Sequence, residues 1–153
     1  MGTVRIEAEK VFARPISVVE AQFVDMQHHS TARVHGDLDI SNVRPQQDGC
    51  LCTARRRVMG KLQEDEIEVR RNADGSSTLR SVGGTNAGLL ITQRFESLGT
   101  ERTRVHLTFE LPVHGVMALL SPLVRAKLRK DTARALEEDR RDLEERGYPA
   151  TAR

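Results

Sequence analysis

The chain has 153 residues and a formal net charge of +2, with 24 Lys and Arg against 22 Asp and Glu; 38% of residues are hydrophobic and 30% charged. This length suits one domain, expected over residues 1–153, that buries about two-thirds of its unfolded surface. The charges are dispersed without a basic block, which argues against a nucleic-acid partner, and no apolar run approaches the ~20 residues of a membrane span.

The opening MGTVRIEAEK lacks the apolar core of a signal peptide, so a cytoplasmic location is expected. It alternates instead: Val4, Ile6 and Ala8 against Arg5, Glu7 and Glu9, the pattern of a half-buried strand. ARPISVVEAQFVDMQHHS follows, with a proline suited to a first helical turn and apolar residues at Ile16, Val19, Phe23 and Met26. From Arg33 to Leu111 the period is two, punctuated by RPQQDG, MGKL, NADGSS, GGTNAG and SLGTE. That predicts five or six antiparallel strands in a meander. Within it, Cys50 and Cys52 point the same way, ~6.6 Å apart along one strand, a poor disulfide geometry. The five histidines add no ligands at a recognisable spacing, so two buried free thiols are expected, and no metal or cofactor.

After Leu111 the period lengthens. SPLVRAKLRKDTARALEEDRRDLEERG predicts a long helix with Ser121 as N-cap, Pro122 in the first turn and an end at Gly147. Leu123, Val124, Leu128, Ala135, Leu136 and Leu143 form its apolar stripe. Lys127–Asp131, Glu137–Arg141 and Asp142–Arg146 are spaced as ion pairs on a solvated, mixed-charge face.

Strand register is testable because a one-residue slip exchanges the two faces of a sheet. With Gly60–Lys61 as a two-residue turn, Cys52 faces Val69, Ala54 faces Ile67, Arg56 faces Asp65 and Val58 faces Gln63. On the other face Arg57 meets Glu64 and Arg55 meets Glu66, each pair contributing roughly 0.2–1 kcal/mol. Neighbouring hairpins are expected to pair Ile40 with Cys52, Leu38 with Ala54, Gly36 with Arg56 and Asp37 with Arg55. Further along, Val69 pairs with Leu79, Glu68 with Arg80, Ile67 with Ser81, Phe95 with Val105, Glu96 with Arg104 and Gln93 with Leu107. One face is then charged and the other apolar, with Val34, Ile91, Leu107 and Phe109 among its members.

Arg56 and Asp65 fall on the apolar face together with Gln63, Ser81 and Gln93. An isolated charge there would cost many kcal/mol, so the two must pair, contact water, or both. Either they form a register-fixing ion pair or they anchor a ligand in a cavity between sheet and helix.

The order of elements resembles the START-like, helix-grip superfamily (SRPBCC), which includes polyketide cyclases and dehydrases, lipid-transfer domains and the birch-pollen allergen type. ARPISVVEAQFVDMQHH resembles the family's opening strand–turn–helix, and LPVHGVMALLSPLVRAKLRKDTARALEEDRRDLE its closing helix. The resemblance implies an α+β fold: a seven-stranded antiparallel sheet curled around a long C-terminal helix, with two short helices after strand one. It also implies an elongated apolar cavity, with His114 and Met117 near its mouth. The oxygenase branch of this superfamily holds iron with two histidines and a carboxylate. Asp25, His28, His29 and His35 do not match that spacing, and His35 falls on the outer face in the register above.

The leading expectation is therefore binding of a small hydrophobic molecule (lipid, isoprenoid, polyketide-like or aromatic) by a monomer or homodimer. Arg56, Asp65, Gln63, Ser81, Gln93, Phe95, Leu107, Phe109 and Met117 are the candidate contacts. One alternative is a cyclase or dehydratase, with His28 or His29 moving the proton and Arg56 stabilising an enolate. Another is a ribosome- or protein-interaction module.

Overall fold

The computed structural model describes residues 2–149. Strand β1 (Gly2–Phe12) leads through Pro15 into α1 (Ile16–Val24) and α2 (Met26–Ala32). The meander follows: β2 (Asp39–Gln46), β3 (Gly49–Val58), β4 (Lys61–Arg71), β5 (Ser77–Gly84), β6 (Leu90–Gly99) and β7 (Arg102–Val113). A short α3 (Val116–Leu119) precedes α4 (Ser121–Arg140), which runs on into a π-helical turn at Arg141–Glu145. The seven antiparallel strands lie in the order β1-β7-β6-β5-β4-β3-β2, so the two short helices carry the chain from one edge of the sheet to the other. This is the expected helix-grip layout.

Asp25 divides α1 from α2: its carboxylate accepts the His28 N–H at 3.0 Å and caps the second helix. The core has two parts. Phe12, Val19, Phe23, Val105, Leu107, Leu136 and Leu143 pack where α1, β1, β7 and α4 meet, with Phe23 edge-on to both Phe12 and Phe95. Met26, Ile40, Cys50, Cys52, Ile67 and Val69 form the second under α2 and the β2–β4 strands. Both cysteines are free and buried, and burial, with the neighbouring Cys50, pushes the Cys52 thiol up to about 12.

Two hairpins pair as expected: Val69–Leu79, Glu68–Arg80 and Ile67–Ser81 in one, Phe95–Val105, Glu96–Arg104 and Gln93–Leu107 in the other. The β2–β3–β4 side keeps its faces but sits two residues away from the expected register. Val58 pairs with Lys61, so the turn is Met59–Gly60 rather than Gly60–Lys61. Both turn residues have positive φ, 52° and 78°, the conformation that matches the twist of a two-residue hairpin loop. Arg56 therefore lies opposite Gln63, Ala54 opposite Asp65, Cys52 opposite Ile67 and Arg55 opposite Glu64. On the other side Ile40 meets Ala54 and Asp39 meets Arg55, while Gly36, Asp37 and Leu38 precede the strand.

The long helix differs at its ends and on its faces. Leu120 is its N-cap, and the Ser121 hydroxyl donates to the Ala118 carbonyl at 2.6 Å. The helix ends as expected near Gly147, which has φ +73°. Leu123 is exposed, and full burial begins only at Thr132. Asp142 is buried instead of pairing with Arg146 at the surface, because the helix turns its polar residues Asp139 and Asp142 toward α1 and α2.

Candidate functional site

A cavity of about 230 Å³ lies between the inner face of the sheet and α4. Its walls are mainly aliphatic, from Ile40, Ile67, Leu79, Ile91 and Leu128, with Phe23 and Phe109 as aromatic contributions. Two polar clusters interrupt this lining.

The first surrounds Arg56, whose inward orientation follows from strand alternation. Its side chain is 32% exposed, and Nη2 donates to Asp131 of α4 at 3.2 Å. Asp37 lies 3.9 Å away and is itself bound by Arg134 at 2.7 Å. Asp131 also meets Lys127 at 3.1 Å and Arg134 at 3.3 Å. Burial alone would raise the Asp131 carboxyl, but the Lys127 bond and the charges of Lys127, Arg56 and Arg134 hold it below its ordinary value. The buried Arg56 Nε–H has no partner. The expected Arg56–Asp65 pair is thus replaced by Arg56–Asp131, a consequence of the two-residue shift. Asp65 accepts hydrogen bonds from the Ser81 hydroxyl at 2.9 Å, the Asn86 N–H at 2.7 Å and the Asn86 side chain at 2.9 Å.

The second cluster is more deeply buried. Asp139 accepts from Gln22 at 3.0 Å and lies 3.3 Å from His29 Nε2 and 3.5 Å from His35 Nε2. Asp142 accepts from Gln22 at 3.0 Å and meets His28 Nε2 at 2.7 Å. The Tyr148 hydroxyl donates to Asp25 at 2.8 Å, its ring edge-on to His28. Burial, then the Asp25 bond, pushes that phenol up. Burial alone would lower the His29 imidazole, but the Asp139 bond and the charges of Asp139 and Asp142 outweigh it and raise it. Burial would likewise raise Asp139, yet His35, His29 and Gln22 hold it down. Gln22 is fully buried and its Oε1 has no partner.

Among the candidate residues, Arg56, Asp65, Gln93, Leu107, Phe109 and His29 line the cavity together. Ser81 stands behind Asp65, and Gln63 accepts from Asn86 at 3.1 Å behind the wall. Phe95 packs on Phe23 and faces a separate small cleft with Glu20 and Ser77. His28 is engaged by Asp142 away from the cavity. Met117 and His114 are exposed, Met117 on an apolar surface with Val116 and Leu119. His35 does not face outward: it lies before β2, where strand alternation does not apply, and it turns into the cavity.

Sequence reasoning missed Asp131, Asp139 and Asn86. Asp139 had a readable signal, since Thr132 and Asp139 fall at helical spacing between Leu128, Leu136 and Leu143. Polar residues on a buried stripe mark a site to be satisfied from elsewhere in the fold.

Solved structures of similar shape agree with this architecture. The Zhui aromatase/cyclase from a Streptomyces species superposes with a TM-score of 0.80 at 14% identity, over 99% of this chain and 100% of that one. A Thermus thermophilus protein gives 0.79 at 19% identity, covering 94% and 99% of the two chains. A START superfamily protein from Mycobacterium smegmatis gives 0.69 at 14%, covering 93% and 99%. No protein-family model and no curated protein matches the chain by sequence. The chain shares the helix-grip fold of these structures, built around an apolar cavity. No helix among the described residues is long and apolar enough to cross a membrane.

Proposed function

We propose that the protein binds a small hydrophobic molecule in the cavity between sheet and α4, with the polar end of that molecule at Arg56. The observation that carries this reading is the buried, unpartnered Arg56 Nε–H on the wall of a mainly aliphatic cavity. A buried donor without an acceptor costs about 1–3 kcal/mol, and a ligand oxygen removes that cost. A guanidinium favours a carboxylate or enolate, which it can engage with two parallel bonds. A dry cavity of about 150 Å³ accommodates benzene. About 230 Å³ therefore suits a one- or two-ring aromatic or a short acyl chain better than a long lipid.

Native mass spectrometry of freshly purified protein is the direct test, with an apolar acid or phenol retained by the wild type expected. Arg56→Met should then lower affinity for such a ligand roughly tenfold or more, one lost charged hydrogen bond being worth ~1.5–3 kcal/mol. Equal affinity in the two proteins would reject Arg56 as the anchor.

A proton-transfer role is the second reading, favoured by His29 on the cavity wall backed by Asp139, and by the aromatase/cyclase named above. His29→Gln separates the two readings: a carrier keeps its ligand, whereas a cyclase loses turnover while still binding.

A further inference from the structure

We propose that His29, His35 and Asp139 form a binding site for a first-row divalent metal ion that opens onto the cavity. The three ligand atoms lie within 4.8 Å of one another, with Asp139 Oδ1 at 3.3 Å from His29 Nε2 and 3.5 Å from His35 Nε2. Ligands at ~2.0–2.1 Å around a tetrahedral ion stand ~3.3 Å apart; the two contacts of Asp139 already match this, and the two Nε2 atoms would close on the ion from within 4.8 Å of each other.

The outer hydrogen bonds point the same way. His29 Nδ1 faces the Asp25 carbonyl at 2.9 Å, and His35 Nδ1 faces the Glu138 carboxylate at 3.1 Å. Both partners are acceptors, so both Nδ1 atoms carry hydrogen. That leaves the two Nε2 atoms as the ligand atoms of the rings, both turned toward the Asp139 carboxylate. Histidine ligands held through the other ring nitrogen by a carbonyl or carboxylate are the arrangement that orients an imidazole for a metal.

Two imidazoles and one carboxylate suit Zn²⁺, Fe²⁺ or Co²⁺ rather than Ca²⁺ or Mg²⁺, which take oxygen ligands. Three protein ligands leave at least one coordination position, and all three residues line the cavity, so that position faces the bound molecule. Spacing along the chain conceals the site, because Asp139 comes from the far end of the sequence, 110 residues after His29.

The test uses chelator-treated protein, Zn²⁺ in calorimetry and Co²⁺ in visible absorption, with no organic ligand present; it therefore stands or falls separately from the Arg56 experiment. One ion per chain is expected. His35→Ala and Asp139→Asn should each weaken Zn²⁺ binding roughly a hundredfold or more, and Glu138→Gln roughly ten- to a hundredfold. His106→Ala, on the opposite exposed face beside Glu7, should bind as the wild type does. Circular dichroism establishes that each variant is folded. The imidazole resonances of His29 and His35 in the wild type should move on Zn²⁺ addition while that of His106 does not, a readout independent of any variant. Absence of binding, binding unchanged in folded His35→Ala, or unmoved His29 and His35 resonances would overturn the assignment.

Discussion

Two parts of α4 face the same cavity with charged residues, and they solve the problem of a buried charge in different ways. At Asp139 the side chain is 7% exposed and its partners, Gln22, His29 and His35, come from α1, α2 and the stretch before β2. At Asp131, two helical turns earlier, the side chain is 12% exposed and its partners Lys127, Arg134 and Arg56 keep 53%, 47% and 32% of their surface. The first cluster has exchanged water for fixed hydrogen bonds, so losing one member leaves others stranded. The second keeps water as a reserve partner, so it is cheap to break and free to rearrange around a ligand. Structural dependence should therefore concentrate near Asp139 and ligand dependence near Arg56.

The largest effect is expected from Asp139→Ala. It removes the shared acceptor of Gln22 and His29, and should destabilise the fold by ~3–5 kcal/mol in denaturant titration. A loss under ~1 kcal/mol would mean that water reaches the cluster, and the contrast with Asp131 would collapse. Asp65→Ala is the intermediate case. Asp65 is buried like Asp139 but has only hydroxyl and amide donors and no imidazole partner, and these donors can turn toward cavity water once it is gone. A cost of ~1–3 kcal/mol is expected. A value matching that of Asp139→Ala would show this wall of the cavity to be equally dry.

The same contrast explains what the sequence could reveal. Alternation assigns each residue to a face, and Arg56, Asp65, Gln93, Leu107 and Phe109 were all placed inward from it. It fixes register only to within two residues, however, and the remaining choice falls to turns and cross-strand charges. Glu68–Arg80 and Glu96–Arg104 single out one pairing in their hairpins. Between β3 and β4 the charges favour the other register: it would match Arg55 with Glu66 and Arg57 with Glu64, whereas the observed one pairs only Arg55 with Glu64 and sets Arg57 opposite Leu62. There the Met59–Gly60 turn decides, with a non-glycine residue at positive φ that composition alone does not announce. Asp131 and Asp139 were legible as helix positions, but their partners are set by tertiary packing. The inward turn of His35 rests on a segment without periodicity.

The smallest effect is the most discriminating. Asp131→Asn should cost at most ~1 kcal/mol at neutral pH, as befits ion pairs open to solvent. Its folded carboxyl lies below the ordinary value, because the Lys127 bond and neighbouring cations outweigh the opposing effect of burial. A depressed acid contributes stability that is fully present above its unfolded pKa of about 3.9 and is lost as pH falls through the folded value. The wild type should thus lose its advantage over Asp131→Asn as pH drops below about 4, and the gap should also narrow in ~1 M salt, where the screening length is ~3 Å. Paired urea titrations at neutral and acid pH measure this directly. A gap that persists in acid and in salt would show that Asp131 acts through packing rather than charge, and Arg56 would then be a wall residue held in place, not a guanidinium available to a ligand.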